Sequence, residues 1–415
     1  MEHTILSDNI DLYVVNTDKF KDLSLEIRFL AEVNEKNATT RSLLTLMMQD
    51  RCSKYDTKQK MNEALDDLYG AYLSIRCTGY GKGAMIRFGI RVIDTKFSDE
   101  DLLTQQFSFI NEIIFQPLLN EVVFKEAKES LANELLRIED EPREYASKLA
   151  LSIAGKGQPL AIDINGSLEV LKMITLDDIK AEYQSMINND QITIGLVGNI
   201  TTITAKNLCK TYLPFVKRTT INESYYTFTT DRPKRDIVEK NIEQTVLMMI
   251  YNTDITINDR LYWPLKLATA MLGQLPVSLL FMEVREKRSL CYSISSSLLS
   301  FDGVMIVNIG MDYKNIEQTE ELIKQQVENI KNNAFSDELL ESAKQLLINS
   351  VKSIIDNANA ILNFAYLNHL AANDQSYQQT IEKIETTTRK DIQQAFNSLH
   401  LNTTFILKKK GDKDE

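Results

Sequence analysis

The chain has 415 residues, of which 43% are hydrophobic and 25% charged, and its formal net charge at pH 7 is −11. This composition is typical of a soluble globular protein that is long enough for two domains. The acidic balance argues against nucleic acid as the main partner, because phosphate binding requires a basic surface.

No stretch of the sequence predicts a signal peptide or a membrane span, since the N-terminal residues lack a basic segment followed by an apolar run. The cysteines are far apart and lack the C-x-x-C spacing of metal or redox sites. Free thiols are typical of a reducing compartment, so we expect a cytoplasmic protein. The four cysteines are Cys52, Cys77, Cys209 and Cys291.

The first half of the chain begins with a predicted strand at 23–33, followed by two helices within 38–69. Two strands then alternate around the glycines of IRCTGYGKGAMIRFGIRV, which predict a tight hairpin turn. These glycines lack the spacing of a phosphate-binding loop, and a strand rather than a helix follows them. Ser98 is the predicted N-cap of the next amphipathic helix.

The second half has a similar order of elements. A strand at 244–251 precedes two helices within 257–288, and two further strands turn at 301–303. A long amphipathic helix, NIEQTEELIKQQVENIKN, follows them. Strands grouped with strands and helices with helices favour an α+β architecture with an antiparallel or mixed sheet.

Pairs of segments show internal similarity, in the same order and at nearly the same offset. LDDIKAEYQSMINNDQITIGLVGN (176–199) resembles RKDIQQAFNSLHLNTTFILKKKG (389–411), and NEVVFKEAKESLANEL (120–135) resembles SDELLESAKQLLINSV (336–351). Such repeats predict an α+β protein of two homologous tandem halves, each a mixed or antiparallel sheet with helices packed on one face. The predicted boundaries are 1–217 for the N-terminal half, 218–240 for a linker and 241–415 for the C-terminal half.

Two runs of sequence carry a family resemblance. SLLFMEVREKRSLCYSI, and NGSLEVLKMITLDDIKAEY leading to ITIGLVGN, are similar to the pitrilysin/insulinase superfamily of zinc peptidases. The similarity covers essentially the whole chain. It is closer to the short-chain branch that includes the mitochondrial processing peptidase and its bacterial relatives, and it implies a processing-peptidase-like fold.

Active members of that superfamily carry an H-x-x-E-H motif on the first helix, in which two histidines bind zinc and the glutamate activates water. In this chain the turn RCSKYDT marks the place of the motif, and the motif positions hold Ser42, Thr45 and Leu46. Glu134 stands in the context of the family's third ligand. One carboxylate with these three side chains cannot hold zinc. We therefore predict no metal and no cofactor in this chain, and no peptidase activity of the chain alone.

The chain has three histidines, His3, His369 and His400, and none of them lies near the motif in sequence. His3 stands at the start of the chain, and the other two belong to the predicted C-terminal half. This scarcity argues against the third interpretation, a zinc enzyme with unusual ligands.

In the resembling family the C-terminal half supplies an arginine and a tyrosine that face the zinc site, and Arg285 and Tyr292 stand here at the family spacing. Between them a charged helical run changes to a strand-like alternation, which would let the two side chains converge. A phenol and a guanidinium can stabilise charge on a carbonyl oxygen or hold a substrate. From the residues alone, Arg285 also fits a solvated helix face and Tyr292 a packed sheet position, and Arg288 is the alternative arginine.

The resemblance implies the non-metal-binding subunit of a heterodimeric zinc metallopeptidase. The expected partners are a homologous zinc-binding subunit and a peptide or unfolded polypeptide in a shared chamber, with zinc held by the partner. Arg285 and Tyr292 would then act on the substrate and oxyanion in trans. The alternative is a catalytically inert scaffold or peptide-binding protein of the same fold. A homodimer is the alternative assembly of the isolated chain, and no membrane partner is expected.

Overall fold

The structure is a computed structural model that describes residues 1–216, 223–230 and 232–411. The strands are β1 (Glu2–Ser7), β2 (Ile10–Asn16), β3 (Asp22–Glu32), β4 (Tyr72–Tyr80), β5 (Gly83–Ile93), β6 (Gln191–Gly198), β7 (Lys234–Lys240), β8 (Thr245–Asn252), β9 (Cys291–Leu299), β10 (Val304–Met311) and β11 (His400–Lys409). The α-helices are α1 (Glu35–Asp50), α2 (Lys58–Asp67), α3 (Leu102–Phe115), α4 (Glu121–Asp140), α5 (Pro142–Ala154), α6 (Leu168–Met173), α7 (Leu176–Asn189), α8 (Thr202–Tyr212), α9 (Tyr262–Gly273), α10 (Ile316–Lys331), α11 (Asp337–Ser353), α12 (Ala358–Leu370), α13 (Tyr377–Thr386) and α14 (Arg389–Asn397). Phe281–Glu286 forms a π-helix.

Two mixed sheets organise the chain, one of six strands in the order β1-β2-β6-β3-β5-β4 and one of five in the order β7-β11-β8-β10-β9. In both, the central strands pair antiparallel, while β2–β6 and β7–β11 pair parallel. The second order repeats the first without a counterpart of β1. The predicted fold class, two α+β halves with mixed sheets, is confirmed.

Contacts between residues divide the chain into two compact units, and each unit contains a helix from the other half of the sequence. Helix α5 belongs to the unit of the second sheet, and α12 to the unit of the first. Unit 1 consists of residues 1–136, 162–224 and 354–369, and unit 2 of residues 137–161, 225–353 and 370–415. The predicted boundaries follow the chain order, whereas the units follow the burial of these two helices.

Helix α5 explains why this segment joins unit 2. It presents Ala146, Ala150 and Ala154 to a cluster of buried side chains from β8, β10 and β11. Small alanines let a helix approach a sheet closely, and the buried apolar surface stabilises the contact by roughly 25 cal/mol per Å². Thr269 of α9 donates a hydrogen bond to the sulfur of Met305. Met305 stands between Val304 and Ile306, which face α5, so its side chain lies on the opposite face of the sheet. The second sheet is therefore covered on one face by α9 of its own half and on the other by α5 of the first half.

The internal repeat is visible in the helix caps. Thr175 and Asp178 form a capping box at the start of α7, and Thr388 and Asp391 form the same box at the start of α14. Each box satisfies two backbone N–H groups that would otherwise lack a partner, which fixes where the helix begins.

A lysine on each long helix is placed in the same way. Lys128 of α4 donates to the carbonyl oxygens of Lys172 and Ile174 at the end of α6, and Lys344 of α11 donates to the carbonyl of Glu385 at the end of α13. A cation at a helix C-terminus offsets its partial negative charge. The pairing of the similar segments 120–135 and 336–351 therefore extends to their tertiary contacts.

Two local predictions differ from the structure. Helix α3 begins at Leu102 with Asp101 as its N-cap, so the prediction of Ser98 as N-cap is wrong, because a 3₁₀ turn occupies 95–97 before it. In the predicted linker, residues 234–240 form the edge strand β7, paired with β11. Residues 218–222 and 231 of that linker lie outside the described residues. Within the described ranges, no helix is both long and apolar enough to span a membrane.

Candidate functional site

The positions of the zinc motif lie on one side of a cavity of about 760 Å³ in unit 1. Helix α1 contributes Ser42, Thr45 and Leu46, and α4 contributes Glu134. Strand β4 and Asn165 complete the lining. The structure therefore brings together the residues that the sequence assigned to the three motif positions and the third ligand.

Helix α1 is fixed in place by Arg41, the neighbour of Ser42. The Arg41 guanidinium is fully buried and makes ion pairs with Glu182 at 2.7 Å and Asp190 at 2.6 Å. It also donates to the carbonyl oxygen of Ala84 on β5 at 3.1 Å. Burial alone would lower the pKa of Arg41, but Asp190 and Glu182 raise it, so the guanidinium stays charged.

The hydroxyl groups at the motif positions are used by the protein backbone. Ser42 Oγ donates to the carbonyl oxygen of Ile164 at 2.8 Å, and Thr45 Oγ1 donates to the carbonyl oxygen of Ser42 at 2.8 Å. Leu46 presents only hydrocarbon. Glu134 is exposed, and it is the one carboxylate in the cavity lining.

These residues do not fit a zinc ion. Zinc sites in proteins use cysteine sulfur, histidine nitrogen and carboxylate oxygen, with at least three protein ligands in catalytic sites. In the part of the chain that the structure describes, no group of three or more His, Cys, Asp or Glu side chains could hold a metal ion. Cys77 also lines the cavity, but burial raises the pKa of its thiol to about 12, so it is a poor metal ligand.

The two histidines placed by the structure in unit 1 meet away from this cavity. His3 Nε2 lies 2.7 Å from Asp11 Oδ1, and His369 Nδ1 lies 2.9 Å from the hydroxyl of Tyr13. His369 belongs to the second half of the sequence but lies in unit 1, because α12 packs there. Neither histidine is among the residues that line the cavity, so neither replaces a motif ligand.

In unit 2, Arg285 lies on the π-helix and Tyr292 is the second residue of β9. The chain reverses between them at Ser289, which has a positive φ of 53°. π-Helical turns occur frequently at functional sites. Both side chains are well exposed, 44% for Arg285 and 53% for Tyr292. This exposure contradicts the interpretation of Tyr292 as a packed sheet residue.

Arg285 and Arg288 differ in the groups that they contact. The Arg285 guanidinium lies 4.8 Å from the ring centre of Phe281 and 3.9 Å from Glu286. Arg288 donates to both the side-chain and the backbone oxygen of Glu283, at 2.7 and 3.0 Å. Arg288 is thus held by Glu283 of the preceding π-helix, whereas Arg285 keeps most of its donors for another group. Within the described residues no hydrogen bond joins Arg285 to Tyr292.

Two residues of these sites, Asp312 and Gln49, are not predicted from the sequence. Asp312 accepts a hydrogen bond from the hydroxyl of Tyr292 at 3.0 Å. Gln49 of α1 lines the cavity and bonds to β4 with both ends of its side-chain amide. Gln49 stands on the same helix as the motif positions, which is the one signal that could have found it. Asp312 follows the end of β10, and its pairing with Tyr292 depends on the strand register.

Comparison with known proteins gives a consistent picture. Residues 173–347 match the family model described as Peptidase M16 inactive domain. The chain is 28% identical over 404 residues, 95% of each protein, to a Bacillus subtilis protein named probable inactive metalloprotease YmfF.

Two solved structures show the same fold. A conserved protein from Enterococcus faecalis V583 has a TM-score of 0.93 and 29% identity, covering 100% of this chain and 99% of that one. A peptidase M16 inactive domain from Pseudomonas fluorescens has a TM-score of 0.83 and 17% identity, with the same coverage. With the repeated fold, these matches show that the chain is similar to proteins of the peptidase M16 family that are described as inactive. The described residues at its own motif positions are not those that bind zinc.

Proposed function

We propose that this protein is the zinc-less subunit of a heterodimeric metallopeptidase, in which a homologous subunit holds zinc in an intact H-x-x-E-H motif. The observation that carries the proposal is the combination of an altered motif with an exposed, hydrogen-bonded Tyr292 in unit 2. An exposed phenol with a fixed orientation has no role in packing. Its single O–H is donated to Asp312, so it can donate to a group from outside the chain by exchanging that partner for the new acceptor.

The proposed chemistry of Tyr292 follows from its partner. The carboxylate of Asp312 raises the pKa of Tyr292, so the phenol is protonated at neutral pH. When water attacks a peptide carbonyl in the partner's site, negative charge develops on the carbonyl oxygen. A phenol placed at that oxygen stabilises the transition state more than the ground state. Arg285, with donors to spare, would hold a substrate carbonyl or carboxylate.

The substrate contact that we propose in unit 1 is the edge of β4. This strand is last in the order of its sheet and borders the cavity. An extended peptide can add a strand to such an edge through main-chain hydrogen bonds, with little dependence on the peptide's sequence. This mode of binding suits a peptide or an unfolded segment.

Co-expression with a homologue from the same genome that carries H-x-x-E-H tests the proposal. We expect the two chains to purify as a one-to-one complex. A quenched fluorescent peptide should be cleaved by the mixture and hardly at all by either chain alone. Absence of a complex at micromolar concentration, or full activity of the zinc-bearing chain alone, would count against the proposal.

The second candidate is an inert scaffold or peptide-binding protein. The hydrogen bond from Ser42 to Ile164 favours it, because a motif position has taken on a structural role. This candidate predicts that substitutions at Arg285 and Tyr292 change no turnover in any complex. For either candidate we propose a cytoplasmic location, which the four free cysteines support.

A further inference from the structure

Gln49 occupies part of the β4 edge. Its side-chain amide donates from Nε2 to the carbonyl oxygen of Leu73 at 3.2 Å, and its Oε1 accepts from the N–H of Ile75 at 2.6 Å. These two backbone groups point away from the neighbouring strand β5. A residue of a parallel strand makes the same pair of bonds, one donated and one accepted, to the residues on either side of its neighbour. The Gln49 side chain therefore imitates one residue of an added strand.

The next part of the same edge is open. In an antiparallel pair, alternate residues direct their N–H and C=O groups to the outside. After Ile75 the outward-facing residue is Cys77, whose N–H and C=O have no hydrogen-bond partner among the described residues. Both residues line the 760 Å³ cavity. The edge is thus divided into a covered section at 73–75 and an uncovered section at 77.

We propose that Gln49 is an intramolecular competitor for strand docking, which limits an extended polypeptide to the Cys77 end of β4 until the amide swings away. The occupant is a polypeptide, because the open groups alternate as N–H and C=O along a strand, and another backbone supplies the complement. This inference rests on the proposed function, since it takes β4 as the docking edge. It adds a residue that sets the register and the affinity of the bound segment.

The second sheet offers a matched control. Gln274, at the end of α9, donates from Nε2 to the carbonyl oxygen of Ser296 on the edge strand β9 at 3.1 Å. This contact has the same chemistry but makes one bond instead of two, and it lies in unit 2. Gln274→Met therefore tests whether removing any helix-to-edge amide has the effect expected for Gln49→Met.

The first measurement needs no ligand. Gln49→Met keeps the side-chain length and removes the amide, so the Ile75 N–H loses its acceptor. We expect amide hydrogen exchange at Ile75 to quicken about tenfold or more in this variant, as for the loss of one hydrogen bond. Gln274→Met should leave Ile75 unchanged. Equal exchange at Ile75 in the wild type and in Gln49→Met would overturn the inference.

The second measurement uses fluorescein-labelled oxidised insulin B chain as an extended probe, with anisotropy as the readout. We expect Gln49→Met to bind it about tenfold more tightly than the wild type, and Gln274→Met to bind like the wild type. Equal binding by all three proteins would overturn the role of Gln49 and leave peptide binding intact.

Two further outcomes also count against the inference. If no variant binds the probe, strand docking on β4 is excluded for this chain, while the pairing with a zinc subunit is still judged separately by its own cleavage assay. If Gln49→Met self-associates in sedimentation without binding the probe, the occupant of the edge is a second copy of the chain.

Discussion

The phenol of Tyr292 donates a hydrogen bond to Asp312 Oδ1 at 3.0 Å, although both side chains are in contact with solvent. The bond joins the second residue of β9 to the residue after β10, so it orients the phenol without burying it. A catalytic contribution to another subunit requires this O–H to exchange Asp312 for an oxygen of the substrate, and its exposed position leaves room for that exchange.

The first prediction concerns this phenol. Tyr292→Phe should lower the turnover of the mixed complex by about 10²- to 10³-fold, the effect of losing one oxyanion donor, while complex formation is unchanged. Tyr69 provides the control, since it has the same exposure of 53% and donates to Glu100 at 3.4 Å. Tyr69→Phe should leave turnover as it is. Unchanged kcat in Tyr292→Phe would remove the tyrosine from catalysis.

Arg285 gives the second prediction. Arg285→Lys keeps the charge but removes the planar fork of donors, so KM of the complex for a peptide substrate should rise about tenfold. Arg288→Lys should change little, because Arg288 is engaged by Glu283 of the preceding π-helix. Steady-state kinetics of both variants separate the two arginines. A larger effect from Arg288 would reverse the assignment.

Restoring the motif tests the position of the altered zinc site. The triple variant Ser42→His, Thr45→Glu and Leu46→His should bind about one zinc per chain, because the cavity already contains Glu134 as the fourth member of the set. Loss of the Ser42–Ile164 hydrogen bond should cost about 1 kcal/mol of stability. Metal analysis after dialysis is the measurement. The same triple variant with Glu134→Gln should bind zinc more weakly; equal affinity would show that Glu134 is not a ligand.

Arg41 gives a stability prediction. Arg41→Met removes the ion pair that the buried Asp190 carboxylate makes with Arg41, which should lower the free energy of unfolding by about 3–5 kcal/mol. The control is Lys36→Met, which removes an exposed ion pair with Asp178 and should cost less than about 1 kcal/mol. Urea denaturation compares the two. Similar values for both variants would show that the Arg41 cluster contributes no more than a surface pair.

Asp302 should make the free energy of unfolding depend on pH. Burial raises the pKa of Asp302 to about 6, while the hydrogen bond from Tyr226 opposes the shift. Because the folded protein binds this proton more tightly than the unfolded chain, the favourable contribution is complete below about pH 4 and is lost as the pH rises through 6. Asp302→Asn has no carboxyl group to ionise, so the variant does not lose this stability as the pH rises. Its free energy of unfolding should therefore exceed that of the wild type by on the order of 2 kcal/mol at pH 7, with little difference at pH 4.

Thermal or urea unfolding of both proteins at pH 4, 5, 6 and 7 measures that difference. The exposed Asp254 serves as the control, since Asp254→Asn should follow the wild type at each pH. A difference between Asp302→Asn and the wild type that stays constant across this range would contradict the titration of Asp302.

The parts of this protein that the sequence determined are those that depend on local chemistry. The alternation around the two hairpins predicted the strands on either side of each turn, and the similar segments 176–199 and 389–411 form helices that begin with the same capping box. The repeat follows from them, since equal local patterns produce equal elements. The altered motif was readable too, because Ser42 and Leu46 lack zinc-binding atoms in any fold.

The tertiary structure alone decided which distant segments meet. The packing of α5 and α12 into the units of the opposite halves depends on buried area between residues far apart in sequence, which no local pattern encodes. The same holds for the contact of Gln49 with β4, which requires both the helix position and the strand register. The hydrogen bond of Tyr292 to Asp312 depends on register in the same way, because a shift of one residue would turn the phenol to the other face of the sheet.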